Sequence, residues 1–242
     1  MTEIIILIIV FMVAGWIQGL VGFGFAVATT LMLVNRMDFT TLVFLNLAMS
    51  LFTSVIAMFS AENLRAVNKP ALLKLIISAS VGLVIGIILI NHINALTLKK
   101  VTLAVILIAS LVSLSNSKNF FAHSWMAWAS GFFSGVLTPS TGINGPLVAL
   151  HLNAALKDKQ QIRTTMLAYL FIIMAFGVIS MSLQKSFSAN TWDTLLMVIA
   201  PSIIGYIAGL QTFKQLSNLV FKKTVTLFLI SSSFASLIYL IL

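Results

Sequence analysis

Hydrophobic and polar positions form long alternating blocks along the chain. The apolar stretches lie at about 4–34, 39–60, 71–90, 98–114, 124–154, 164–183, 192–212 and 224–242, with short polar loops between them. One membrane-crossing helix needs about 20 predominantly apolar residues. The pattern therefore predicts an all-α polytopic membrane protein with about eight spans.

Two of these stretches, 4–34 and 124–154, are longer than the others. Each has 31 residues and contains glycines near its middle. That length is too great for one crossing and short for two, and a helix break cannot face lipid with bare backbone. Each stretch is therefore predicted to be a glycine-broken hairpin buried in the protein, which would give ten helical segments in all.

The two halves of the chain share landmarks in the same order. The matched pairs are Gly15-x-x-x-Gly19 with Gly131-x-x-x-Gly135, Thr40-Thr41 with Thr164-Thr165, Gly82-x-x-x-Gly86 with Pro201-x-x-x-Gly205, and Lys99-Lys100 with Lys222-Lys223. Duplicated halves are common in secondary transporters. We predict two homologous repeats, residues 1–116 and 117–242, within one integral membrane domain.

The distribution of basic residues bears on how the halves are oriented. If each broken stretch returns to the side it entered, ten of the 14 Lys and Arg residues share one side, and the other side receives Arg36, Lys99, Lys100 and Lys185. If each broken stretch crosses once, the split is nine to five. Cytoplasmic loops are enriched in Lys and Arg. The count favours inverted repeats, with parallel repeats as the alternative. Both arrangements put the two termini outside the cytoplasm.

Composition excludes a soluble protein. Hydrophobic residues make up 60% of the chain, charged residues 8%, and the mean hydropathy is +1.11. The net charge of +9 would suggest nucleic acid in a soluble protein, but here the cations lie in short loops and set topology. The expected partners are the lipid bilayer and a small anion, with a homodimer left open and no nucleic acid.

Enzymatic chemistry is not indicated. The chain has no cysteine, its carboxylates lie near the ends of the apolar stretches, and no His/Asp/Glu cluster, nucleophile elbow or phosphate loop is present. We therefore expect no catalytic residues, metal site or cofactor. His151 could relay a proton or bind an anion, but a packed histidine is the favoured interpretation.

The glycines have two predicted uses. Pairs spaced by four let helix backbones approach closely, and static packing is favoured over a moving interface. The closer pairs Gly22/Gly24 and Gly142/Gly145 indicate helix breaks, and Pro146 suits the first turn of a new helix. Gly145 is expected to need a positive φ.

Two helix N-termini that meet at the breaks would together present about one positive charge, which suits a monovalent anion. No Lys or Arg is expected deep in a span, so neutral donors would hold the anion. The predicted substrate-binding residues are Gln18, Gly22, Phe23, Gly24, Thr29, Asn46, Thr138, Ser140, Thr141, Gly142, Asn144 and Gly145. The alternatives are hydroxyls that bond their own helix and an Asn46 that joins two helices.

At these residues the chain resembles the sulfite exporter TauE/SafE family of membrane permeases. The first-half motif is Gly15-x-x-x-Gly19-x-x-Gly22-Phe23-Gly24-Phe25, and the second-half motif is Gly142-Ile143-Asn144-Gly145-Pro146-Leu147. The family typically shows three consecutive glycines where Phe23 and Phe25 interrupt the run here.

The resemblance covers essentially the whole chain and implies transport of sulfite, sulfoacetate or another sulfonate across a prokaryotic cytoplasmic membrane. We interpret the chain as a multi-pass secondary transporter that works by alternating access. An organic carboxylate permease and a non-transporting membrane scaffold or assembly protein are the alternatives.

Overall fold

The computed structural model describes residues 2–59, 65–90, 92–94, 96–98, 100–101, 103–104, 107–108, 118–184 and 187–241. Within these ranges the regular structure is helical and no strand occurs. The helices are α1 (Thr2–Val21), α2 (Phe25–Leu33), α3 (Phe39–Met58), α4 (Lys69–Ile90), α5 (Lys118–Ala122), α6 (Trp125–Thr141), α7 (Gly145–Ala155), α8 (Lys159–Gln184), α9 (Ala189–Gln215) and α10 (Asn218–Ile241).

Five of the described helices, α1, α3, α4, α8 and α9, are long and apolar enough to cross a membrane. The prediction of an all-helical membrane protein is confirmed, whereas the count of about eight spans is not. Lys99 and Lys185 lie outside the described residues, as does much of the stretch 98–114. The other apolar stretches of the sequence each contain one helix, or two where a glycine break was predicted.

Both long stretches fold back on themselves. The rings of Phe11 and Phe25 lie 5.7 Å apart across the first break, and Arg36 Nη1 lies 3.5 Å from Glu3 Oε1 at the open end. In the second stretch, His151 Nδ1 lies 2.8 Å from the carbonyl oxygen of Phe121, which lies in α5 just before that stretch begins. A straight helix would separate residues 14 positions apart by about 20 Å. Each stretch is therefore a hairpin, as the glycine breaks predicted.

Two parallel helix pairs give the bundle its closest contacts. In α1, a Cβ atom added at Gly15 would lie 2.2 Å from the carbonyl oxygen of Ser202 in α9, and one at Gly19 equally close to that of Tyr206. In α4, a Cβ atom at Gly82 would lie 2.1 Å from the carbonyl oxygen of Phe132 in α6. Only glycine allows such backbone approach. The four-spaced glycines thus serve close packing.

One end of the bundle collects the basic residues. The Asn68 N–H donates to Thr165 Oγ1 at 2.9 Å, which places the loop before α4 beside the start of α8. At the same end Lys74 bonds Ser124, and Lys222 Nζ donates to the carbonyl oxygen of Leu156 at 2.6 Å. We call this region the basic end. It contains the starts of α4, α6, α8 and α10.

Candidate functional site

The two breaks meet at a small cavity inside the bundle. Backbone segments 23–27 and 143–145 form two of its walls, and the side chains of Gln18, Ser50, Leu170 and Met174 complete it. Segment 24–27 is the N-terminus of α2, and segment 144–145 is the N-terminus of α7. The predicted meeting of two helix N-termini therefore occurs in the structure.

The first break is made by two glycines in left-handed conformations. Gly22 has φ 87° and Gly24 has φ 95°, a region that side chains with a Cβ rarely adopt. The first helical bond of α2 runs from Ala28 N–H to the Gly24 carbonyl oxygen, at 2.9 Å. The N–H groups of residues 25–27 precede that bond and have no partner within the helix. Residues 25–27 line the cavity.

The second break is built differently. Gly142 has φ 67°, and the following N–H, of Ile143, donates to Thr141 Oγ1 at 3.1 Å. Helix α7 starts at Gly145 with Pro146 in its first turn, as predicted. The expectation of a positive φ at Gly145 is wrong. A Cβ atom there would lie 2.8 Å from Cδ2 of Phe23, so the position requires glycine because an aromatic ring from the first break packs against it.

The cavity is electrostatically suited to an anion. Each helix N-terminus contributes about half a positive charge from its unpaired N–H groups. The surrounding walls are apolar, since Phe23, Leu170 and Met174 face the same space. In such surroundings backbone dipoles act more strongly than they would in water. A small oxyanion could accept bonds from both helix N-termini at once.

Asn144 is the side-chain donor best placed for such an anion. Its Nδ2 lies 3.3 Å from Thr138 Oγ1 and 3.6 Å from Met174 Sδ, both long contacts that a stronger acceptor could replace. The backbone carbonyl oxygen of Asn144 accepts a hydrogen bond from Ser134 Oγ at 2.6 Å. Ser134 Oγ in turn accepts one from the Tyr169 hydroxyl at 2.7 Å. The backbone of Asn144 is thus held by two further residues.

Gln18, in α1, also lines the cavity. Its Nε2 donates to the Ser50 carbonyl oxygen at 3.2 Å and to Ser54 Oγ at 3.4 Å. The Oε1 atom is buried and has no hydrogen-bond partner. Gln18 therefore offers the cavity an acceptor, whereas Asn144 offers a donor.

The sequence matches the pattern of a known family. The sequence pattern described as "Sulfite exporter TauE/SafE" matches residues 7–236, a range that includes both breaks and every residue that lines the cavity. The chain belongs to the sulfite exporter TauE/SafE family. This is a family of membrane transporters, which agrees with the several apolar helices of the fold. No curated protein and no solved structure matches the chain.

Several predicted site residues of this TauE/SafE protein lie away from the cavity wall. Thr29 donates to the carbonyl oxygen of Phe25 in its own helix and to Asn46 Oδ1, while Asn46 Nδ2 donates to Thr30 Oγ1 at 3.2 Å. Asn46 thus joins α2 to α3. This matches the alternative in which the asparagine connects two helices.

The hydroxyls of the second half also serve their own helix. Thr138, Ser140 and Thr141 each donate to a carbonyl oxygen three or four residues earlier in α6. Gly142 shapes the turn, and Gly22 packs against Arg163. Of the twelve predicted residues, the cavity wall contains Gln18, Phe23, Gly24, Asn144 and Gly145.

Arg163 corrects a prediction. The sequence placed it among loop cations and expected no buried one, but it lies in α8 and is 0% exposed. Its burial depends on α1 and α9, which are distant in sequence. The Tyr169–Ser134 pair and Ser50 were also missed, because a single hydroxyl in an apolar helix gives no distinguishing pattern.

His151 is a packed histidine, as favoured. It is 3% exposed, and its Nδ1 atom bonds the Phe121 carbonyl oxygen, which can only accept. Nδ1 therefore carries the proton in this bond. The contact closes the second hairpin at its open end.

Proposed function

We propose that this TauE/SafE protein is a secondary transporter that moves a small oxyanion, sulfite or an organosulfonate, across the prokaryotic cytoplasmic membrane by alternating access. The observation that carries the proposal is the meeting of two helix N-termini at one buried cavity. Asn144 adds a side-chain donor at that point. The backbone N–H groups that begin α2 and α7 have no partner within their own helices, and a bound anion would satisfy them.

The chemistry of the cavity favours a compact oxyanion. Sulfite and sulfonate groups present three oxygens around one sulfur, so one group can accept from α2, α7 and Asn144 together. Apolar contacts from Phe23, Leu170 and Met174 would replace water around the anion. Their packing leaves room for about one water molecule, so we propose that these walls move apart when the anion binds.

We further propose that residues 1–116 and 117–242 are inverted repeats. The fold-back of both hairpins supports this arrangement, because each half then crosses the membrane an odd number of times. The contact between Asn68 and Thr165 also supports it, since the alternative arrangement would put these residues on opposite sides.

Single cysteines test the orientation, and the chain contains no cysteine that would give background labelling. We expect Lys69→Cys to react with an impermeant maleimide only after cells are opened, and Asn190→Cys to react in intact cells. A reporter fused after Leu242 should report the outside in either arrangement. Labelling of Lys69→Cys from outside would support parallel halves instead.

The transport proposal is tested with purified protein in liposomes. Uptake of [³⁵S]sulfite should exceed that of empty liposomes and should fall when unlabelled sulfite or sulfoacetate competes. Acetate and succinate serve as carboxylate competitors, and sodium chloride controls for ionic strength. Competition by carboxylates alone would indicate a carboxylate permease. No flux and no anion-dependent thermal stabilisation across the panel would leave the scaffold interpretation.

A further inference from the structure

A buried guanidinium lies beside the first break. Arg163 Nε donates to the carbonyl oxygen of Gly19 at 2.8 Å, and its Nη2 donates to the Tyr206 hydroxyl at 3.0 Å. The ring centroid of Phe213 lies 4.8 Å from the guanidinium carbon. The third nitrogen, Nη1, is buried and has no hydrogen-bond partner.

No carboxylate balances this charge among the residues that the structure describes. The ion pair found there joins Arg36 and Glu3 on the exposed surface. A cation inside a membrane protein is costly and is usually paired or placed along a substrate path. Arginine side chains stay protonated in proteins. The dipole of the Gly19 carbonyl and the rings of Phe213 and Tyr206 offset the charge only in part.

The structural role of Arg163 accounts for two of its nitrogens. The bond to Gly19 satisfies a carbonyl near the C-terminus of α1, where helix carbonyls lack partners and cations are favourable. The bond to Tyr206 connects α8 to α9. Neither contact uses Nη1, and a lysine or glutamine could supply one donor to Gly19. Nη1 is therefore a buried donor that lacks an acceptor.

An acceptor bound to Nη1 of Arg163 would lie near the proposed transport path. Arg163 and Leu170 lie seven residues apart in α8, so they share a helix face at a separation of about 10 Å. Leu170 is part of the cavity wall, and Arg163 lies toward the start of α8 at the basic end. The backbone of Gly22, at the first break, packs directly against Arg163.

The geometry points to Arg163 as a second anion-binding position, between the cavity and the basic end of the bundle. This inference rests on the proposed function and names a cationic stage of the same path. The ligand is a small oxyanion that accepts a hydrogen bond from Nη1 and is attracted by the charge of the guanidinium. It binds there either before it reaches the neutral donors of the cavity or after it leaves them.

The test compares Arg163→Gln with Arg163→Lys in liposomes. Both variants lose the pair of nitrogens that contacts Gly19 and Tyr206, but only the lysine keeps the charge. We expect the KM for [³⁵S]sulfite to rise about ten-fold or more in Arg163→Gln and to stay within about three-fold of the native value in Arg163→Lys. Equal KM values in the two variants would overturn the inference, whatever their melting temperatures.

The outcome also separates the two proposals. A native protein that moves no sulfite overturns the proposed function, and the role of Arg163 falls with it. Native transport with no difference in KM between the two variants overturns only the role of Arg163.

If neither Arg163 variant can be purified, Tyr206→Phe keeps the test possible. This change frees Nη2 while Arg163 stays in place. Because a second guanidinium nitrogen then needs an acceptor, we expect sulfite to raise the melting temperature of Tyr206→Phe by more than it raises that of the native protein. An equal or smaller rise, measured against sodium chloride at the same ionic strength, would overturn the inference.

Discussion

The two helix breaks perform the same turn with different chemistry. The first uses two left-handed glycines, and its side-chain support comes from Arg163 of the other half. The second uses one left-handed glycine and is supported from its own half, by Thr141 at the turn and by Ser134 at Asn144. At the cavity, the first break supplies backbone N–H groups, whereas the second adds the amide of Asn144.

The difference separates the shape of a site from its chemistry. Both breaks end one helix and aim the N-terminus of another at the cavity, and this needs only glycines and close packing. We predict that anion recognition is unequal, because Asn144, the side-chain donor of the proposed site, lies at the second break only. The following predictions test that inequality.

The largest effect is expected at Gly24. Gly24→Ala would put a Cβ atom 2.6 Å from the Phe228 ring at a φ of 95°, and we expect a loss of at least about 2 kcal/mol of stability with little folded protein. Gly142→Ala is the matched control, since its φ of 67° is milder and the nearest atom is 3.4 Å away. Equal losses of melting temperature in the two variants would show that the breaks are equally demanding.

Gly145→Val should nearly abolish transport, because the added side chain would meet Phe23, whose Cδ2 lies 2.8 Å from the position of a Cβ atom. Since Gly145 has no positive φ, the defect is steric and should be relieved in part by Phe23→Ala in the double variant. Uptake of [³⁵S]sulfite by the single and double variants measures this. A double variant as inactive as Gly145→Val would indicate a backbone cause.

Asn144→Leu should weaken sulfite affinity about ten- to hundred-fold, the range for loss of one hydrogen bond to a charged group, about 1.5–3 kcal/mol. Gln18→Leu is its partner from the first break and should cost less, because Gln18 presents an acceptor to the cavity. Affinity is measured on folded protein by anion-dependent thermal stabilisation. Full affinity in both Asn144→Leu and Gly145→Val would mean that the second break is structural only.

The smallest effects are expected where the hairpins close. His151→Leu leaves the buried Phe121 carbonyl without its donor and should cost about 1–3 kcal/mol of stability. Arg36→Ala breaks an exposed ion pair and should cost about 1 kcal/mol or less. The melting temperatures of the two variants test this order of effects. A larger loss of melting temperature in Arg36→Ala would mean that the Arg36–Glu3 contact stabilises its hairpin more than the His151–Phe121 contact does.

The sequence predicted those features that depend on local backbone chemistry. Glycine spacing located both breaks, Pro146 marked the start of α7, and the flanking glycines singled out Asn144. It did not predict the contacts that depend on distant helices. Arg163 follows Lys157 and Lys159, so its sequence context indicates a solvated loop. In the structure it is buried and donates hydrogen bonds to Gly19 and Tyr206. Asn46 likewise lies in an apolar stretch, and only folding shows that its partners are in α2.

The glycine-packed pairs have a mechanical consequence. Each pair combines one helix from each half: α1 with α9, and α4 with α6. A rigid-body displacement of the first half past the second would have to pull both pairs apart, at contacts where no side chain separates the backbones. We therefore predict that the two proposed repeats are not the moving units of the proposed transport cycle. Any cycle that preserves these contacts must carry α1 together with α9, and α4 together with α6.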